Sequence, residues 1–219
     1  MGVDPGLVDT GFGVLEADGH GFTVIDAGVV STVAGQSLET RLNAIHGAVH
    51  RLMADRAPGL VVVEDLYTEY KFPRTAILMG HARGVIYLAA RQLGVSVLAL
   101  SASEVKRAIT GNGAAGKAQM QRGVQTLLGL KELPRPSHVA DALGLALTGM
   151  ARITGRTPTG RAVTPAPWLA EPPVRRADTQ FGEPKARRAD TEFGEPQPKA
   201  RRADTEFGEP QPKARRADT

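Results

Sequence analysis

The sequence predicts an α/β domain, built on a mixed sheet with helices on its faces, followed by an unstructured tail. Three observations predict it. Two strand-like segments joined by a short turn open the chain. Short β-branched runs then alternate with amphipathic helical stretches. Periodic apolar residues stop near residue 154.

The elements follow in order. Gly11–Glu16 and Phe22–Val30 read as strands joined by the turn Ala17-Asp18-Gly19-His20. Over Leu38–Arg56, the residues Leu38, Leu42, Ile45, Val49, Leu52 and Met53 share one helical face, and Pro58-Gly59 ends the segment. The run Leu60–Glu64 is β-branched and reads as a buried strand. Thr75–Leu93 reads as a helix stopped by Gly94, and Val95–Leu100 as a further buried strand. Ser101 with Glu104 three residues on is a capping pattern for a helix reaching Thr110. Lys117–Leu128 and His138–Ile153 are the last two helices, separated by a Pro-containing loop.

Residues 1–153 therefore form the expected domain, and 154–219 the tail. From Arg175 a repeat sets in: RRADTQFGEPKA, then RRADTEFGEPQPKA twice, then the start of another copy. The two longer units balance their charges, the first carries one net positive charge, and each offers one large apolar residue, such as Phe193 or Phe207. Burial of so little apolar surface does not offset the entropy of ordering the backbone, so the tail is expected to be disordered, a spacer grown by duplication.

Composition excludes several classes. With no cysteine, the chain has neither disulfides nor thiolate metal sites. It lacks an apolar run long enough to span a bilayer and a signal-peptide pattern, so a cytosolic location is expected. Residues 1–64 hold three arginines against eight acids, a balance of −5, whereas residues 65–135 hold ten basic residues against four acids, a balance of +6. An acidic start joined to a basic middle suits carboxylates that face a polyanion, although basic residues also solvate ordinary helix faces.

Three acids stand on rigid elements. Asp4 follows the short apolar start Gly2-Val3 and precedes Pro5-Gly6; Glu64 ends the run Leu60–Val63; Asp141 sits in an otherwise apolar helix, three residues after His138 and on the same face. An acid in such surroundings is costly without a partner or a metal. Carboxylates with one imidazole suit Mg²⁺ or Mn²⁺, and two such ions clamp the attacking and leaving oxygens of a phosphodiester. Taken singly, each has an ordinary reading as a cap, a turn or a surface residue; together they make an acidic cluster.

The segments GVDPGLVDTGFGVLE (2–16), VVVEDLY (61–67), LMGHARGVIYLAA (78–90) and HVADALGLALTG (138–149) resemble, in order, the successive motifs of the RuvC Holliday junction resolvases. The resemblance spans about residues 1–152. It implies a ribonuclease H-like fold and a homodimer. The implied activity is a metal-dependent endonuclease that cuts four-way junctions in DNA recombination and repair, leaving 5′-phosphate and 3′-hydroxyl ends. RuvA and RuvB, the branch-migration proteins, are the implied partners. The family's metal-binding and catalytic positions fall on Asp4, Glu64, Asp141 and His138, for two Mg²⁺ ions, with Mn²⁺ admitted by the histidine. Its base-probing aromatic falls on Tyr67, and its backbone-contacting basic residues on Lys106 and Lys117, with Arg74 and Arg107 as weaker candidates. The strand before Asp4 is shorter than in the family and is expected to be less well anchored.

Two other readings compete. The segment Gly111–Lys117 fits both G-x-G-x-x-G and G-x-x-x-x-G-K, yet Ala118 replaces the metal-binding hydroxyl of a P-loop, and the preceding element carries a helix cap rather than strand character. An actin-like ATPase shares an Asp-x-Gly opening, but needs a second domain that this length does not provide. A non-catalytic junction-binding or scaffold protein would not need the full set Asp4, Glu64, His138 and Asp141.

Overall fold

The computed structural model describes residues 1–17, 21–66 and 73–155. Five strands, β1 (Gly2–Asp4), β2 (Asp9–Ala17), β3 (Phe22–Ser31), β4 (Leu60–Glu64) and β5 (Ser96–Leu100), form one sheet in the order β3-β2-β1-β4-β5. The β1–β2 and β2–β3 pairs are antiparallel, whereas β1–β4 and β4–β5 are parallel. The expected mixed sheet is therefore present. Five helices cover it: α1 (Leu38–Arg56), α2 (Pro73–Gln92), α3 (Ala102–Thr110), α4 (Lys117–Leu128) and α5 (Ser137–Thr154). The expected turn at residues 17–20 and the tail lie largely or wholly outside the described residues.

Side chains alternate across a strand, and this period of two divides the core. Val3, Phe12, Val14, Val61 and Val63 pack with Ile45, Val49 and Met53 of α1 and with Ala82, Ile86 and Ala89 of α2. Leu15, Leu60, Val62 and Leu100 face the other way, into Val105, Ile109, Met120, Val124 and Leu143 of α3, α4 and α5. The three-residue β1 is held on both sides, Gly2 opposite Gly13 and Val62. Val3 is fully buried, and the Met1 amino group donates to Leu60 O at 2.9 Å.

One expectation needs correction. The run 95–100 reads as a buried strand, but β5 lies at the sheet edge, and only Leu100 of its five residues is buried. A short apolar run fixes strand character without telling how many neighbours the strand has. The rejection of a phosphate loop at 111–117 agrees with the structure, because the preceding element is the helix α3. Ser101 caps that helix by accepting the Glu104 N–H at 3.3 Å.

Helix α5 is buried along most of its length, from Val139 through Gly149 apart from Asp141. It rests on a part of the sheet that has no side chains. A methyl group on Gly2 would stand 2.0 Å from Ala142 O, one on Gly11 2.2 Å from His138 O, and one on Gly13 2.7 Å from Leu143 Cδ2. Gly149 likewise admits Val62, whose Cγ2 lies 2.3 Å from where a Cβ would be. Glycine is required here for close approach of two backbones, not for its turn conformations.

Replacing Gly11 with alanine is expected to cost about 1–3 kcal/mol by overpacking, measured by urea denaturation. Gly47→Ala, on α1 with only an arginine tip 3.4 Å away, is expected to be neutral or to stabilise by up to about 1 kcal/mol. Equal effects at the two positions would contradict the close-approach account.

Candidate active site

The same alternation that sorts the core places the acids. Asp4 ends β1 and Glu64 ends β4, both with the parity of Gly2, Leu60 and Val62, so both face α5. Asp141 and His138 come from the first turns of α5. Seating α5 on the bare backbone of β1 and β2 therefore brings all four residues to one end of the sheet. His138 Nδ1 donates to Asp4 Oδ2 at 2.7 Å. Among the described residues, no three of these side chains close around a single point as they stand.

The electrostatics are those of crowded, poorly hydrated carboxylates. Burial pushes Asp4 up to about 6, with the negative charge of Asp141 adding to it and the His138 hydrogen bond opposing it. Burial, reinforced by Asp4 and Asp141, pushes Glu64 up to about 7, against the attraction of Lys106 and His138. Asp141 is also raised by burial, opposed by His138, Lys106 and Lys117. Among the described residues, no hydrogen bond holds the charged form of Glu64 or Asp141. Hard cations with oxygen ligands fit such a set, because they compensate charge that the protein leaves unpaired.

Lys106 on α3 and Lys117 at the start of α4 face this cluster. Together with Glu64, Asp141, Gly116 and Met120 they line a cavity of about 260 Å³. The structure thus gathers Asp4, Glu64, His138, Asp141, Lys106 and Lys117. Arg74 is exposed on α2, and Arg107 is exposed on α3 with its guanidinium against Gly113. Neither is brought into the acidic cluster, and Tyr67 lies outside the described residues. The close-packing glycines were not among the expected functional positions, although Gly2, Gly11 and Gly13 stand at alternating positions that mark one face of a strand pair.

Residues 1–149 match the family described as crossover junction endodeoxyribonuclease RuvC. The chain belongs to the RuvC family. A RuvC of that description from Rhodopirellula baltica is 43% identical over 149 residues, covering 68% of this chain and 84% of the relative. That from Pelotomaculum thermopropionicum is 41% identical over 147 residues, covering 67% and 89%. The structure of Thermus thermophilus RuvC in complex with Holliday junction substrate superposes with a TM-score of 0.63 at 36% identity, covering 67% of this chain and 89% of that one. The expected ribonuclease H-like arrangement is thus the RuvC fold. The family match ends at residue 149, within α5. No described helix is long and apolar enough to cross a membrane.

Glu64 has an ordinary value near 4.5 and is raised to about 7 on folding. Its contribution to stability is complete below about 4.5 and is lost as pH rises through about 7. Glu64→Gln, which stays neutral, is therefore expected to melt above the wild type at pH 8 in EDTA, with the difference vanishing near pH 4.5. Saturating Mg²⁺ is expected to reverse the order at pH 8 by stabilising only the wild type. Thermal melts across pH check both; a variant that melts lower at pH 8 without metal would contradict the raised value.

Proposed function

We propose that this RuvC-family chain resolves four-way (Holliday) DNA junctions by paired, symmetric, metal-dependent hydrolysis of phosphodiester bonds, in bacterial recombination and repair. The observation that carries the reading is the convergence of Asp4, Glu64 and Asp141, from three separate elements, beside a cavity lined by Lys106 and Lys117. Asp4, Glu64, His138 and Asp141 would hold two Mg²⁺ ions, with Mn²⁺ as the alternative that the imidazole favours. Bound there, the ions supply Lewis acidity that activates water and neutralises charge on the leaving 3′ oxygen.

The chain's own residues do the rest. His138 holds one oxygen of Asp4 by its hydrogen bond, fixing the carboxylate's orientation. Lys106 and Lys117 take backbone phosphates next to the cluster, where their charge acts at short range. Arg74 and Arg107, both exposed, extend the basic surface, and Tyr67 offers a stacking face to bases at an opened junction.

Two cuts of like polarity call for two identical sites, and a C₂ homodimer supplies them. Helix α2 supports this. Ile77, His81, Gly84 and Leu88 lie along one exposed stripe, with Ile77 61% and Leu88 50% accessible. No methyl on Gly84 would meet another atom, which leaves room for a second helix. RuvA and RuvB are the proposed partners, the bacterial cytoplasm the proposed location, and residues 154–219 a spacer separate from the nuclease domain.

The test is a synthetic four-way junction against a matched linear duplex, each with Mg²⁺, Mn²⁺ or EDTA. Symmetric nicks in the junction alone, and only with metal, are expected. Asp4→Asn is expected to lower the cutting rate by about three orders of magnitude, from loss of several kcal/mol of metal-borne stabilisation, while junction binding in a gel-shift assay is kept. Metal-dependent cutting by that variant at the wild-type rate would remove Asp4 from the site. A chain lacking residues 175–219 is expected to cut at the full rate, and a large loss would give the tail a role in the reaction.

Sedimentation provides the check on assembly. Leu88→Glu is expected to shift the protein from dimer to monomer, because a buried unpaired charge at an interface costs several kcal/mol. An unchanged dimer would place the contact elsewhere.

A further inference from the structure

The strand that carries Asp4 is three residues long, and the sheet stops holding it on one side before the acid is reached. Towards β4 the pairing ends with Val3 opposite Val63; only towards β2 does it continue, with Asp4 opposite Gly11. Glu64, by contrast, still has Leu100 opposite it. The next residue, Pro5, has no N–H to donate. The backbone beyond Asp4 is therefore held by whatever holds the loop 5–8.

That loop is fastened from three elements. The Thr10 hydroxyl on β2, fully buried, donates to Gly6 O at 2.7 Å and accepts the Gly6 N–H at 3.4 Å. The loop is too tight for a side chain at Gly6, where a methyl would stand 2.1 Å from Asp9 O. Leu7 O accepts two bonds, from the Thr32 hydroxyl just past β3 at 2.6 Å and from Arg41 Nη2 in the first turn of α1 at 3.0 Å. Arg41 Nε donates to the same Thr32 hydroxyl at 2.8 Å, and the Thr32 N–H donates to Val8 O at 2.8 Å.

These contacts hold more firmly than closing a turn requires. Among the described residues no carboxylate pairs with Arg41. Its rigid fork is aimed instead at two neutral oxygens, and hydrogen bonds from a charged donor are the stronger kind. The need for them lies at Asp4. The charges of Asp141 and Glu64 crowd its carboxylate, and His138 supplies its one side-chain hydrogen bond. That bond fixes how the carboxylate is turned; it does not fix the backbone that carries it.

We propose that Arg41 and Thr10 are positioning residues for the metal site: by fastening the loop 5–8 to α1, β2 and the end of β3, they hold the strand end at Asp4 in its metal-binding place before any ion arrives. This rests on the reading of the acids as a divalent-metal site.

The experiment uses the full chain and the variants Arg41→Leu, Arg41→Lys, Thr10→Val and Thr10→Ser. Val49→Ala, a buried residue of the same helix α1 that does not touch the loop, controls for lost stability alone. Mn²⁺ binding to the DNA-free protein at pH 8 is measured by calorimetry. Hydrogen exchange of residues 6–11 in EDTA is read by mass spectrometry. Junction cutting is followed against Mg²⁺ concentration.

Arg41→Leu and Thr10→Val are each expected to raise the Kd for Mn²⁺ about tenfold, as removal of groups that orient a ligand does, and to quicken exchange. The Mg²⁺ concentration for half-maximal cutting is expected to rise by a similar factor, with the rate at saturating Mg²⁺ within about threefold of the wild type. Arg41→Lys and Thr10→Ser are expected to recover part of the affinity. Val49→Ala is expected to melt lower with unchanged Mn²⁺ affinity. Arg41→Leu, at a half-buried position, carries the test if Thr10→Val does not fold. Unchanged affinity in the folded variants, or an equal loss in Val49→Ala, would overturn the proposal, as would a slower rate with an unchanged Mg²⁺ requirement. A wild type that binds no Mn²⁺ would refute the metal-site reading and the proposal with it. A wild type that binds Mn²⁺ but cuts no junction would refute only the junction reading, and the variants' affinities would still decide the role of Arg41 and Thr10.

Discussion

The site depends on a helix lying directly on backbone. Gly2, Gly11 and Gly13 leave one face of β1 and β2 bare, and α5 fills the space where side chains would stand, with Gly11 under His138 and Gly2 under Ala142. That contact sets the height of α5 above the sheet. It thereby sets the distance from Asp141 and His138 to the strand-end acids Asp4 and Glu64. Interiors packed to this density transmit small displacements instead of absorbing them. The glycines of the sheet are consequently as much a part of the site as the acids, although they carry no chemistry.

The acids in turn are held where they are least comfortable. A buried carboxylate next to other carboxylates resists ionisation, and here burial outweighs every neighbouring charge for Asp4, Glu64 and Asp141 alike. Lys106, Lys117 and His138 offset part of the cost, and only His138 does so through a hydrogen bond, to Asp4. Because the three acids interact, they titrate as a set and not one by one. A cluster in this condition gains from divalent cations at neutral pH, which is the condition the proposed reaction requires. The same lysines that ease the cluster also make the cavity attractive to a phosphate backbone, so one set of charges serves both needs.

Much of this is legible in the sequence, for physical reasons that differ between elements. Helix α1 stands out because a 3.6-residue apolar period defines it and Pro58-Gly59 stops it. The acids stand out because each interrupts an apolar run, and the family motifs then place them in order. The edge position of β5 is not legible, since Val95–Leu100 carries the same apolar character whether it has one neighbour or two. The His138–Asp4 hydrogen bond spans 134 residues, and the Arg83–Asp65 pair joins a helix to a strand end. Contacts of that kind follow from packing, which local pattern does not encode. The alternation of Gly11 and Gly13 does carry a signal, because two glycines two residues apart on a strand leave one face bare.

The central claim is that seating α5 on β1 and β2 creates a divalent-metal site between the acids of both. Diffraction at the manganese edge from crystals soaked in Mn²⁺ tests it most directly. The account predicts anomalous density between Asp4, Glu64 and Asp141, lost in Asp4→Asn crystals. Density confined to other positions, or none at saturating Mn²⁺, would contradict it.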